Sequence, residues 1–288
     1  MSQSGIRRII LLTLGWEELP RSFSLYGDTS GERLREPVPA VLLESDGGWV
    51  LLDTGLNAAL VRDPALNRRF HGRNHHIEAF LAGPGEPLEE ALEQVGVAIE
   101  EIVTVAVSHL HNDHAGGLRH FVDLGTPVHL QRRELDYGLS AHPGPEQHGM
   151  FRVDYDDPLI DWRLADGEVD IAPGLRALPS PGHTPGHQSF LVDLDPSVGG
   201  GGYLFAFDAA DLQENIDGEI GVGGFIDTTP EESVESIRRL KAIAAERGYP
   251  VIPGHDPHVW PALTHELARR WPREEDRERH DGDQPARG

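Results

Sequence analysis

Three imidazoles and one carboxylate fall within six residues in the run Ser108-His109-Leu110-His111-Asn112-Asp113-His114-Ala115-Gly116-Gly117. Imidazole nitrogens and carboxylate oxygens are the donors a divalent ion takes in hydrolytic centres. The run follows residues 102–107, an apolar stretch of the buried-strand type, and strand-end loops are where a rigid scaffold presents reactive groups. His109 and His111 alternate by two, so on a continuing strand both would project to one side. Gly116-Gly117 lets the backbone turn sharply into a helix. A solvated polar loop gives no reason for four donors directly after a buried strand, so the spacing points to a metal site.

Composition narrows the chemistry. The chain holds 16 His and no Cys, which excludes disulfides, thiolate nucleophiles, iron–sulfur clusters and zinc sites that need a cysteine. Its 25 Lys+Arg against 48 Asp+Glu give a formal charge of −23, which argues against nucleic acid or an anionic membrane as partner. No stretch approaches the ~20 apolar residues of a membrane span. The short apolar run after Arg7 and Arg8 lacks a cleavage site, so the chain reads as soluble and cytoplasmic.

The elements that must position these donors follow from apolar runs. Strands are expected at 6–14, 38–43, 49–52, 102–107, 128–130, 162–164, 175–178, 189–194, 203–207 and 251–252, with a hairpin turn at Ser45-Asp46-Gly47-Gly48. Residues 16–36, polar with Gly and Pro, read as a long loop. Helices are expected at 87–95 and from Pro230, where Thr229 caps, Pro230 opens and Glu232 reaches back. Strands followed by helix occur twice, which suggests two β-rich halves facing each other with helices outside. Residues 1–271 read as a single domain and 272–288 as a disordered charged tail.

The H-x-H-x-D-H run resembles the signature of the metallo-β-lactamase superfamily, and the remaining pieces of that pattern occur in order. Pro181-Gly182-His183-Thr184-Pro185-Gly186-His187 is similar to its G-H-T-x-G-H segment, Phe207-Asp208 to its bridging aspartate, Pro253-Gly254-His255 to its last histidine and Asp53-Thr54-Gly55 to its supporting D-T-G. The resemblance implies an α+β fold, a four-layer αββα sandwich. It also implies two divalent metal ions, one held by His109, His111 and His187, the other by Asp113, His114 and His255, with Asp208 between them. His183 is left as a turn or supporting residue. Asp53 either orients a ligand histidine or is an ordinary turn carboxylate. Such N/O ligation suits Zn²⁺ first, and also Mn²⁺, Fe or Co²⁺.

Within that superfamily the pattern is closest to the N-acyl homoserine lactone hydrolases, the quorum-quenching lactonases. Gln131-Arg132-Arg133-Glu134-Leu135, the Gln188-Ser189 extension, Asp208-Ala209 with Glu214-Asn215, and Gly254-His255-Asp256 carry this narrower likeness. It implies a hydrolase that opens a lactone ester by attack of a hydroxide shared between the two ions, with Asp113 passing the proton to the leaving oxygen. The alternative is a thioesterase or other ester hydrolase of the same fold in a biosynthetic pathway. The partner is a small lactone or ester, with monomer or dimer left open.

The pattern is broken at one position. Those lactonases carry a substrate-contacting tyrosine three residues after the bridging aspartate, and this chain has Asp211 there. Either Tyr26 or Tyr203 substitutes as donor, or the substrate differs from a simple acyl homoserine lactone. The basic stretch 68–76 (Arg68, Arg69, His71, Arg73, His75 and His76) reads as a solvated loop, with a cover over the site mouth as the sharper alternative. Trp16, Phe23 and Tyr26 are candidates for an acyl pocket, against the commoner use of aromatics in a core.

Overall fold

The computed structural model describes residues 5–73, 77–224 and 227–271. The expected tail at 272–288, together with His75 and His76, lies outside them. Among the described residues, twelve strands form two sheets: β1 (Arg8–Pro20), β2 (Arg33–Ser45), β3 (Gly48–Leu52), β4 (Glu78–Leu81), β5 (Ile102–Ala106), β6 (Val128–Gln131), β7 (Trp162–Ala165), β8 (Val169–Ala172), β9 (Leu175–Pro179), β10 (Gln188–Asp193), β11 (Gly202–Phe207) and β12 (Val251–Pro253). The order is β4-β1-β2-β3-β5-β6-β7 in the first sheet and β12-β11-β10-β9-β8 in the second.

The sheets face each other, and side-chain alternation shows how. Val41, Leu43, Val50 and Leu52 share one core cluster with Phe190, Val192, Phe205 and Phe207, so this cluster lies between the sheets. Leu42 and Leu51, one residue out of phase, pack outward with Leu88 and Leu92 of the helix Pro87–Gln94. Leu191 and Leu204 pack outward in the same way against Ile237, Leu240 and Ala244 of the helix Pro230–Arg247. Strands buried on both faces are apolar throughout, which is why they were legible as continuous runs. The result is the expected four-layer αββα sandwich.

The expected loop at 16–36 is not one. β1 runs on to Pro20 and β2 begins at Arg33, paired antiparallel with Glu17 opposite Glu36 and Leu19 opposite Leu34. Backbone ladder bonds carry this extension, so its polar side chains gave no apolar signal. β4 and β8, also unforeseen, are edge strands with no fully buried residue. The helix Val259–Arg270, likewise unassigned from sequence, seats Trp260, Leu263 and Leu267 in the inter-sheet core. Thr229 caps the long helix through Glu232 N, with Glu232 returning to Thr229 N, as its sequence specified.

Candidate metal centre

The chemical groups sit where strands stop. Asp53 follows β3, Ser108 and His109 lie just beyond β5, Asp208 follows β11 and His255 lies just beyond β12. Asp53 N bonds Ala106 O at 3.0 Å and Thr54 N bonds His114 O at 2.7 Å, which holds the first two loops side by side. Gly116 and Gly117 serve this close approach. A Cβ on Gly116 would stand 2.3 Å from Asn57 N, and one on Gly117 2.4 Å from Thr54 O.

His109 and His111 do not ride a continued strand, because β5 ends at Ala106 and His111 opens the one-turn helix Asn112–Ala115. They converge all the same, with His109 Nε2 2.9 Å from His111 Nδ1. His183 Nε2 approaches the same His111 nitrogen at 2.8 Å and Asp208 Oδ2 at 3.3 Å. Beside this three-histidine group lies a second. His114 Nε2 is 3.1 Å from Asp113 Oδ2 and 3.2 Å from Asp208 Oδ1, and His255 Nε2 is 3.0 Å from Asp208 Oδ1 and 3.3 Å from His114 Nε2. Asp208 therefore turns one oxygen to each group.

His187 does not join either group, and His183 stands in the place expected for it. Ser180 N bonds His187 O at 2.8 Å, so His187 closes the base of the loop just before β10, while His183 occupies its tip. The His187 ring lies 5.2 Å from that of His109, its Nδ1 is 2.9 Å from Ser180 Oγ, and its buried Nε2 has no hydrogen-bond partner among the described residues. The signal for His183 was its position between Pro181-Gly182 and Pro185-Gly186, with Gly182 at φ +146° making a bend that a side chain would strain.

Supporting contacts fix which ring nitrogen faces inward. His114 Nδ1 meets Asp53 Oδ2 at 2.7 Å, and His255 Nδ1 donates to Pro37 O at 2.8 Å. Such outer partners orient ligand imidazoles. Asp53 thus does the orienting, and it also accepts from Ser108 N and Oγ. Buried Glu134 joins the two histidine loops, accepting from Leu110 N, Thr184 Oγ1 and Gly186 N. Burial lifts its carboxyl to about 7 against those bonds. Asp53 at φ 60° and Phe207 at φ 48° sit in left-handed backbone, which costs of order 1–3 kcal/mol for such residues and is held where a site demands it.

The electrostatics differ between the groups. Burial drives His109 and His111 well below the usual imidazole value and His183 to about 4, so all three are neutral. Burial acts on His114 and His255 as well, but Asp113 and Asp208 outweigh it and raise both well above that value. A cavity opens over both groups. Leu19, Phe23, Phe70, Ile77 and Phe151 form its apolar side, and Glu17, Glu36, Asp113 and Asp211 its acidic side. Neither Tyr26 nor Tyr203 is among the described residues that line it. Phe23 does line it, and Trp16 instead lies under the Arg35 guanidinium at 5.1 Å. From the basic stretch, His71 reaches the cavity while Arg68 and Arg69 do not line it.

The donor atoms of His109, His111, His183 and Asp208 lie within 4.8 Å of one another, as do those of Asp113, His114 and His255. A tetrahedral ion with bonds of about 2.0–2.1 Å spaces its ligand atoms about 3.3 Å apart, so both groups fit a small divalent cation.

Residues 33–255 match the family model described as Metallo-beta-lactamase superfamily. An N-acyl homoserine lactonase from Bacillus sp is 33% identical over 235 residues, 79% of this chain and 84% of that protein. Among solved structures, a point mutant of AiiA from B. thuringiensis with N-decanoyl-L-homoserine bound at the active site superposes with a TM-score of 0.76 at 28% identity, covering 88% of this chain and 94% of that one. An N-acyl homoserine lactone hydrolase with the product N-hexanoyl-L-homoserine bound at its catalytic metal centre matches with the same TM-score, identity and coverage. The donor geometry, the sandwich that creates it and these likenesses agree: the chain belongs to the metallo-β-lactamase superfamily.

Proposed function

We propose that this protein hydrolyses the ester bond of a lactone of the N-acyl homoserine lactone class, using two divalent ions, Zn²⁺ by preference. The observation that carries the reading is the pair of donor groups sharing Asp208 at the floor of one cavity. Relatives at about 30% identity are named lactonases, and a solved relative holds a ring-opened product at its metal centre. His109, His111, His183 and Asp208 would hold one ion, and Asp113, His114, His255 and Asp208 the other. Bound ions of this kind polarise an ester carbonyl and acidify water to near neutral pH.

The chain's own residues set up the rest. Asp208 fixes the spacing of the two groups by offering one oxygen to each. Asp53 and the Pro37 carbonyl hold the His114 and His255 rings so that Nε2 faces the cavity floor. Asp113 keeps Oδ2 on His114 and lines the cavity, and its carboxylate would take the proton released by the attacking water and hand it to the departing alkoxide. The apolar side chains Phe23, Phe70 and Phe151 offer a surface for an acyl chain and exclude water from it.

The test is a hydrolysis panel on the zinc-loaded protein: N-hexanoyl homoserine lactone, S-glutathionyl and acyl-CoA thioesters, and a β-lactam, with bound metal measured on the same sample. Ring opening of the lactone with about two ions per chain is expected. Cleavage of the thioesters with no action on the lactone would move the protein to the thioesterase reading.

A further inference from the structure

Of the residues that carry the lactonase likeness, Glu214 and Asn215 lie outside both donor groups and open the short helix Gln213–Gly218. Both act on one segment of β1's far end. Glu214 pairs with the Arg21 guanidinium, which Asp28 also holds. Asn215 is fully buried. Its Nδ2 donates to Ser24 O at 2.9 Å, Ile220 O at 3.0 Å and Gly221 O at 3.2 Å, and its Oδ1 accepts from Leu212 N at 2.7 Å. Carbonyls on one side and an N–H on the other fix which way this amide points.

The segment it holds has little else to place it. Arg21–Ser24 is a single helical turn with no side-chain cap, and Ser24 is its one buried residue. One turn does not sustain itself in water, so tertiary bonds decide where it lies. Gly223 N donates to Phe23 O at 2.6 Å and Tyr26 N to Gly221 O at 2.9 Å, which lays residues 23–26 along 221–223. A Cβ on Gly223 would stand 1.9 Å from Ser22 O, so the approach requires glycine. The Asn215 amide joins the two sides, since Ser24 O and Gly221 O share it. Phe23, Gly223 and Gly224 thereby become one stretch of the cavity wall, in a lining that also holds Phe70 and Phe151.

We propose that Asn215 is a positioning residue that sets the acyl-chain range of the cavity by holding Phe23 on its wall. Without the amide, Ser24 O loses this donor, and a buried carbonyl so deprived is relieved by water entering between residues 21–26 and 221–224. Phe23 then leaves the wall. A long acyl chain covers more of that wall than a short one, so the loss grows with chain length. This rests on the lactone-hydrolase reading of the same cavity and adds what governs its chain preference.

The experiment has a binding arm that does not depend on turnover. Calorimetry on the zinc-loaded protein compares N-decanoyl-homoserine with N-butanoyl-homoserine, kinetics compares the two parent lactones, and bound metal is measured on each sample. The unaltered protein should favour the decanoyl compound in both arms. Asn215→Ala should lower that preference at least ~5-fold in Kd and in kcat/KM, with metal content as in the unaltered protein. Phe23→Ala should lower it by a similar factor, and adding Asn215→Ala to Phe23→Ala should change it less than about twofold, because the two residues act as one unit. Gly223→Ala, which drives Ser22 away from the other side, supplies the same cycle with Phe23→Ala should Asn215→Ala fail to fold. Equal losses for the short and long chains, losses that add in the double variant, or no chain preference in the unaltered protein would overturn the role of Asn215. Lactone hydrolysis with that result would leave the lactonase reading standing, and a coupled chain preference in binding without lactone hydrolysis would do the reverse.

Discussion

The two donor groups share Asp208 and lie side by side, yet they differ in charge and in how they are held. The three-histidine group is made of imidazoles that burial keeps neutral, ready to accept a cation. In the other group, Asp113 and Asp208 keep protons on His114 and His255, which serve as internal counter-ions in the metal-free protein. The second group is also anchored more firmly, through Asp53 and Pro37 O. An ion would enter the first group without proton exchange and would displace protons from the second, so the proposed metal binding would be linked to pH through the His114 group.

The largest effect should come from the residue common to both. Asp208→Ala should lower bound metal below about one ion per chain and cut ester hydrolysis by at least ~10³-fold, read by elemental analysis and turnover. Near-normal metal content would break the idea of one bridging carboxylate. Next, His183→Ala should leave about one ion per chain while His187→Ala keeps two and loses thermal stability, since His187 bonds Ser180 and offers no atom to either donor group. The opposite pattern would restore the ligand set implied by family resemblance.

Removing the support of the second group should matter less. Asp53→Asn frees the His114 ring and should weaken metal at that group by roughly 10–100-fold, measured by chelator competition. The proton trade has a definite sign. His114 and His255 bind protons that the ion must displace, so affinity at that group should rise between pH 6 and pH 8. Affinity at the His109–His111–His183 group should stay nearly flat over the same range, because those rings are already neutral. Equal slopes at the two groups would remove the contrast.

The smallest effect lies away from the donors. Burial raises Asp154 to about 7, and Asn57 Nδ2 donates to its Oδ1 at 2.7 Å. The folded chain keeps this proton where the unfolded chain loses it, so stability falls as pH rises from about 4 to 7 and stays reduced above. Asp154→Asn removes the titration, and the melting temperature should rise at pH 8 but not at pH 4.5. The gain is bounded at about 4 kcal/mol by the size of the shift.

Much of this molecule was set by local sequence. The donor run 109–114 declares itself because four ligand types within six residues have few other uses, and the doubly buried strands declare themselves because both their faces must be apolar. Thr229, Pro230 and Glu232 fix a helix start by bonds that span three residues. The tertiary structure alone decided what depends on distance across the chain. It brought the ring of His183, and not that of His187, up to the donor group, by placing one of two residues of equal chemistry at the tip of a loop and the other at its base. It turned a polar stretch into the long strands β1 and β2, whose ladder bonds leave no mark in side-chain pattern. It also brought Glu17, Glu36 and Asp211 around one cavity, a convergence that no spacing along the sequence encodes, because each comes from a different element and only packing makes them neighbours.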